Sequence, residues 1–408
     1  MTRKHISFFN VPAPPHVNPT LSIVSTLVKR GHRVTYVTSD RFGQAIAALG
    51  AECVLLPRLP TAADFKDDPR WKEWTDSNTW HTWDDIGHFE CFFIDFADRV
   101  LPQLRGRYER DLPDLILYDR LFPAGRVLSE QWRIPAVQTS PEFAFHDVFF
   151  TRKNGVCYTP QGYLEVRDKL DTFFNAHGIQ GKNHMFHKEN LNIHFFPRAF
   201  QFNSDSFDQR FLFAGGCIAA RPSDSGWERK STDGTRLIFV SASTTSYSAP
   251  EYFRMLIETL KDLRWGIVIA TGEMNDFSSF KHLPANVEMH QYLPYPSVLP
   301  HVWLNICRGG TSTVVESMCH GVALICVSQN AEHGENADRV SELGIGIHIR
   351  QPELTAESIR TAVLRMADDA TMLNKARQME QIIRSEQVGP EEVADRIESL
   401  LAAADKSR

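Results

Sequence analysis

Residues 306–327 read ICRGGTSTVVESMCHGVALICV, a stretch that gathers several reactive residue types. Arg308 stands before Gly309 and Gly310, and three hydroxyls follow at Thr311, Ser312 and Thr313. Glycines let a backbone approach a ligand closely. A helix N-terminus offers N–H groups and the positive end of a dipole to an anion. The hydroxyls can cap that helix or donate to phosphate oxygens, and a guanidinium adds a permanently charged fork. The chemistry on offer is phosphate binding; a capped helix beside a surface arginine is the competing reading. A second candidate is His16, within PPHVNPT at 14–20. Imidazole is the usual general base near neutral pH. Asp119 closes the apolar run LPDLILYD at 112–119, and a carboxylate behind an imidazole fixes its tautomer and supports its charged form. Taken singly, these are an ordinary loop histidine and a strand-end turn residue; taken together, they can remove a proton.

The elements around them alternate. HISFFNV (5–11), HRVTYVTS (32–39), CVLLP (53–57), LPDLILYD (112–119) and IPAVQTS (134–140) read as strands. The amphipathic segments 19–31 and 41–50 read as helices, each closed by a glycine, which places His16 in the turn before the first helix. Such alternation indicates βαβ units and a parallel sheet. The tryptophan-rich segment 60–98 reads as a loop followed by a helix that continues over 93–110, and 141–190 is irregular and partly helical. Strand signals at 192–197 and 211–216 precede RPSDSGWERKSTDGT (221–235), a polar stretch without apolar periodicity that reads as a linker. RLIFVSAS (236–243) opens a second series, with a helix at 250–263 and strands at 265–272, 287–293, 303–307, 323–327 and 346–349. Helices at 355–366, 370–384 and 390–403 end the chain. Both candidate sites fall at carboxyl ends of strands, where open α/β sheets bind ligands.

A chain of 408 residues suits two domains. With 42% hydrophobic and 23% charged residues it can bury large cores. The net charge of −6, without a basic run, argues against nucleic acid as a partner. No apolar stretch approaches 18 residues, and the short N-terminal run is broken by Pro12, so neither a membrane span nor a signal peptide is expected. Seven cysteines without a CxxC pair fit a reduced cytoplasm. The acidic doublets Asp67-Asp68, Asp84-Asp85 and Asp368-Asp369 read as solvated surface, and His184 and His187 lack a further metal ligand at suitable spacing.

HVNPTL with RGHRVTYVTS (16–39), PDLILYD (113–119), LNIHFFPRAFQ (191–201) and RGGTSTVVES with GVALICVSQNAEHGENADRV (308–340) occur in an order that resembles glycosyltransferase family 1, the UDP-glycosyltransferases. The likeness spans nearly the whole chain and is nearest to bacterial macrolide and flavonoid glycosyltransferases. It implies an α/β GT-B fold, two Rossmann-like domains facing across a cleft. The acceptor-binding domain would be 1–220, the linker 221–235 and the nucleotide-sugar domain 236–384, with a C-terminal helix in 385–408 packing back on the first domain. By resemblance, His16 deprotonates the acceptor hydroxyl and Asp119 supports it. Ser243, Thr244, Arg308, Gly310, Thr311, Ser312 and Thr313 would hold the donor diphosphate; Tyr292, Tyr295 and Glu316 the nucleoside; Glu332 and His333 the sugar. Trp71, Trp74, Trp83, Phe93, Phe143 and Phe145 would line the acceptor pocket, against core packing as the alternative. No metal and no cofactor is expected beyond the nucleoside-diphosphate sugar as co-substrate.

Five positions depart from the family pattern. Arg308 replaces the diphosphate-binding histidine, Ser241-Ala242-Ser243-Thr244 lacks the usual glycine, Pro294-Tyr295 replaces proline-glutamine, Glu332-His333 replaces an acidic-glutamine pair, and Pro15 replaces glycine. Such clustering implies an unusual donor or weakened catalysis. The expected activity is inverting transfer of a hexose or deoxyhexose to a hydrophobic small molecule in the cytoplasm. The alternatives are an auxiliary GT-B protein with a degenerate donor site and a sugar-nucleotide epimerase.

Overall fold

The computed structural model describes residues 3–56, 82–146, 151–153, 156–158, 160–219, 227–229, 235–242, 249–272, 278–386 and 388–407. They form two compact units, and the C-terminal segment from 388 belongs with the N-terminal one. The first unit is built on β1 (His5–Phe9), α1 (Pro14–Lys29), β2 (Arg33–Thr38), α2 (Asp40–Ala48), β3 (Glu52–Leu55), α3 (Trp83–Tyr108), β4 (Leu115–Asp119), α4 (Ala124–Trp132) and β5 (Ala136–Ser140). A short antiparallel pair follows, β6 (Thr151–Lys153) with β7 (Val156–Tyr158), then α5 (Gln161–Ala176), β8 (Asn192–His194) and β9 (Phe211–Phe213). Seven parallel strands lie in the order β3-β2-β1-β4-β5-β8-β9. β1 and β4 are buried along their whole length, as strands covered by helices on both faces must be. The strand order reverses between β1 and β4, with Phe9 beside Tyr118. A crevice opens at such a reversal, outside the carboxyl ends of the strands.

Sequence periodicity starts the first helix at residue 19, but α1 begins at Pro14, so His16 lies in its first turn rather than in a preceding loop. The reason is proline chemistry: Pro14 and Pro15 occupy early helical positions, where the missing N–H costs nothing and the fixed φ is already helical. α3 and α5 touch through glycines. A Cβ on Gly87 would lie 2.4 Å from the Gly162 backbone. Asp84 accepts from the Gly162 N–H at 2.8 Å, and Asp85 forms a capping box with Thr82. The doublet therefore sets the start of α3 and its contact with α5, contrary to the expectation of idle surface charge.

The second unit contains β10 (Leu237–Ser241), α6 (Pro250–Leu260), β11 (Gly266–Ala270), β12 (Val287–His290), β13 (Val302–Cys307), α7 (Thr311–Cys319), β14 (Ala323–Ser328), α8 (Ala331–Glu342) and β15 (Gly346–Arg350). α9 (Ala356–Asp368) and α10 (Ala370–Glu386) complete it. Its six parallel strands run β12-β11-β10-β13-β14-β15, and the order reverses between β10 and β13, where Ser241 pairs with Cys307. Each unit thus has a Rossmann-like sheet with one switch point, and each switch point carries one of the candidate sites.

The last helix, α11 (Pro390–Ser407), packs on α1. Val393, Ala394, Ile397 and Leu401 are buried. Arg30 reaches Asp395 at 2.6 Å and Glu398 at 3.0 Å, and His32 meets Glu398 at 2.9 Å.

Candidate active site

The first switch point positions a proton acceptor. Asp119 is the last residue of β4 and is 1% exposed. Its Oδ2 lies 2.6 Å from His16 Nδ1, and its Oδ1 accepts from the Leu121 N–H at 2.8 Å. One carboxylate oxygen is thus fixed by backbone and the other orients the ring. With the Nδ1 proton donated to Asp119, the neutral imidazole carries its basic lone pair on Nε2. The backbone is held too, since Asn10 Nδ2 donates to the His16 carbonyl at 3.0 Å and to Tyr36 Oη at 2.8 Å. Tyr36 in turn meets Thr20 Oγ1 at 2.6 Å.

The second switch point carries the glycine turn that is the candidate for binding an anion. β13 ends at Cys307 and α7 begins at Thr311, with Gly310 as N-cap. Gly309 has φ of 88°, and a Cβ there would lie 2.7 Å from the His333 carbonyl oxygen, so only glycine fits. Among the described residues no side chain caps α7, and such a helix end suits a bound anion. Asn305 and Ser317 join at 3.0 Å, and Ser241 donates to Asn305 at 3.0 Å, tying both switch strands to the helix. Arg308 is buried, with its Cζ 3.6 Å from the centre of the Tyr252 ring, a cation–π stack. Burial lowers its pKa below the ordinary guanidinium value.

Around this turn the structure gathers Glu332, His333, Glu316 and Tyr295. Thr311 Oγ1 donates to Glu332 Oε1 at 3.1 Å, and Asn336 donates to Thr311 Oγ1 and to the Gly309 carbonyl, each at 3.0 Å. His333 is buried with Nε2 facing Gly310, and burial, reinforced by the Arg308 charge, pulls its pKa down to about 4. The ring is neutral at pH 7. Glu316 is buried, and Tyr295 hydrogen-bonds Ser241 and Thr313 beside it; burial first and the Glu316 charge second raise the phenol pKa. Tyr292 stands apart from this group in exposure, at 55%. The Ser312 hydroxyl oxygen is buried and has no hydrogen-bond partner among the described residues. Ser243 and Thr244 lie outside the described residues.

Residues 254–400 match the family described as "Erythromycin biosynthesis protein CIII-like, C-terminal domain". Over 407 residues the chain is 34% identical to the NDP-glycosyltransferase YjiC of Bacillus licheniformis, covering 99% of each chain. It is 30% identical over 410 residues to the demethyllactenocin mycarosyltransferase of Streptomyces fradiae, covering 98% of this chain and 87% of that one. Among solved structures, the calicheamicin glycosyltransferase CalG4 superposes with a TM-score of 0.80 at 31% identity, over 98% of this chain and 99% of that chain. The chain belongs to glycosyltransferase family 1. It has the GT-B fold of two Rossmann-like domains and is a sugar-transferring enzyme, as the resemblance in its motifs implies.

In the first unit, the glycosyltransferase places Trp83 against Tyr163 at 5.8 Å and Phe93 against Phe89 at 4.9 Å within the core. Phe143 and Phe145 share the wall of a cavity of about 20 Å³, room for about one water, with Arg120, Gln138 and Phe186. Trp71 and Trp74 lie outside the described residues. His184 rests on Phe174 and His187 meets Glu189 at 3.1 Å; among the described residues no three potential ligands cluster for a metal.

Sequence reasoning missed four contributors. Tyr252 stacks on Arg308, Asn336 braces the glycine turn, and Asn10 braces His16. Arg120, next to Asp119, pairs with buried Glu90 at 3.0 Å and with Glu142, while Tyr163 donates to Glu90 at 2.8 Å. Burial pushes the Glu90 pKa up, with Arg120 opposing it. Only Arg120, beside the carboxylate, had a local signal. The others are ordinary residues whose partners lie far along the chain.

Proposed function

We propose that this glycosyltransferase moves a hexose or deoxyhexose from a UDP- or TDP-sugar to a hydroxyl of a hydrophobic small molecule such as a polyketide, macrolide or phenol. The setting would be cytoplasmic natural-product biosynthesis or detoxification. The observation that carries the reading is the 2.6 Å contact between His16 and Asp119 at a sheet switch point. The relatives named for demethyllactenocin and calicheamicin support the acceptor class.

In this mechanism His16 Nε2 takes the acceptor proton as the oxygen attacks the anomeric carbon. Asp119 stabilises the imidazolium that forms. The attack is in line with the departing nucleoside diphosphate, so the anomeric configuration inverts. Charge grows on the diphosphate as the bond breaks. The α7 N-terminus and the Arg308 guanidinium would meet it. Glu316 and Tyr295 would hold the nucleoside, and Glu332 and His333 the sugar. His333 is neutral, so it would act by hydrogen bonding and not by charge. No metal and no cofactor has a step in this scheme, and a chelator would leave the rate unchanged.

The test is a panel of UDP- and TDP-sugars with macrolide and phenolic acceptors. Nucleoside diphosphate release and the anomeric configuration of the product would be followed. Inverted product made by the wild type and lost in His16→Ala supports the proposal. Product of retained configuration, or donor consumption without any acceptor, would sink it.

A further inference from the structure

The donor turn and the proposed sugar carboxylate are joined by a hydrogen-bond chain with a fixed direction. Asn336 is 1% exposed, and its Nδ2 donates to the Gly309 carbonyl and to Thr311 Oγ1, each at 3.0 Å. Thr311 is 8% exposed, and its Oγ1 donates to Glu332 Oε1 at 3.1 Å. A hydroxyl carries one proton. Thr311 gives that proton to a carboxylate, which as an acceptor forms the stronger bond. The same hydroxyl therefore has no proton left for a phosphate oxygen. The Asn336 amide nitrogen also lies 3.5 Å from Glu332 Oε1, so it braces the turn, the hydroxyl and the carboxylate together.

We propose that Thr311 and Asn336 are positioning residues that orient the Glu332 carboxylate toward the donor sugar, and that the Thr311 hydroxyl serves this carboxylate and not the diphosphate. The proposal rests on the reading of 308–313 and Glu332 as the donor site. Its consequence is geometric. The diphosphate is bonded to the anomeric carbon, so a carboxylate held at a set distance from the diphosphate turn meets one region of the sugar ring. A carboxylate only accepts hydrogen bonds, so that region must carry a hydroxyl. The Gly309–Asn336–Thr311–Glu332 chain therefore acts as a ruler that selects donors by the position of a ring hydroxyl.

The near-isosteric Thr311→Val removes the relay, and Thr311→Ser keeps it. Calorimetric titration with bare UDP and TDP reports the diphosphate turn alone. Steady-state kcat/KM with the accepted donor, and with its counterpart lacking one ring hydroxyl, reports the sugar. We expect Thr311→Val to change nucleoside diphosphate affinity by less than about twofold, and to lower kcat/KM for the hydroxylated donor by roughly tenfold or more. The preference for that donor over its deoxy counterpart should shrink by the same factor, and Thr311→Ser should restore both. Glu332→Gln should lose a similar factor and be non-additive with Thr311→Val. If Thr311→Val weakens bare UDP or TDP by the same factor as the sugar donor, the hydroxyl serves phosphate and the proposal fails. Unchanged kcat/KM and unchanged donor preference also overturn it. A wild-type enzyme that binds neither UDP nor TDP would remove the donor-site reading beneath it, an outcome these measurements keep distinct.

Discussion

An imidazole whose Nδ1 is held 2.6 Å from a buried carboxylate has its ring orientation and tautomer fixed, which makes the His16–Asp119 pair directional. His16→Ala should lower turnover by roughly 10²- to 10⁴-fold while leaving UDP or TDP binding intact, measured by coupled assay and calorimetry. Asp119→Asn keeps the shape but loses the charge that fixes the tautomer, and should cost about a hundredfold or more in kcat. The two residues were legible because each ends or follows a strand signal. Their separation of 103 positions in the chain gives no local sign that they touch. Arg308 shows the opposite limit. Its charge was plain in the sequence, but its stack on Tyr252 depends on where α6 packs. Arg308→Ala should raise the donor KM with little change in acceptor KM, as expected for a group on the diphosphate.

At the scale of elements, the turn between β13 and α7 depends on one backbone conformation. Gly309→Ala places a Cβ 2.7 Å from the His333 carbonyl at a φ of 88°. It should destabilise the protein by about 1 kcal/mol or more and abolish nucleotide binding, read by thermal melts and calorimetry. The glycine pair was legible as a turn before a helix, since glycine supplies the backbone conformation such a turn requires. The boundary of α1 was not, because its first turn is polar and proline-rich and carries no apolar stripe; it is fixed by proline at early helical positions and by Asn10 on the His16 carbonyl. Deleting 388–407 would remove the buried Val393, Ile397 and Leu401 and expose the α1 surface they pack on. Each large apolar side chain is worth roughly 1.5–3 kcal/mol. The first unit should then lose its cooperative melt or aggregate.

For the whole molecule, buried neutral histidines limit acid stability, His194 in the first unit and His333 in the second among them. His194 and His333 are both pulled down to about 4 from an ordinary 6.5, chiefly by burial. Their stabilisation is full above pH 6.5, because there the unfolded chain binds no extra proton. As pH falls from 6.5 toward 4 the unfolded chain takes up protons that the folded one refuses, and stability falls, by about 3 kcal/mol per histidine at the low end. Melting temperature should therefore drop across that interval, and His333→Gln should flatten the drop for the second unit. Cysteine chemistry points to compact cores as well: burial pushes Cys217 and Cys319 up to about 12 and Cys91 up to about 11. Iodoacetamide at pH 8 should label these thiols slowly until urea is added. By itself the sequence determined the α/β class, the two series of strands, the family and the glycine turn before a helix at 309–311, because strand periodicity, helix starts and glycine turns are local properties of consecutive residues. It could not determine that Thr311 serves Glu332, that Asn336 and Asn10 brace the two sites, or that Tyr252 faces Arg308. Those are contacts between segments brought together only when parallel strands pair and helices pack on them, and hydrogen bonds of that kind leave no periodic trace in the chain.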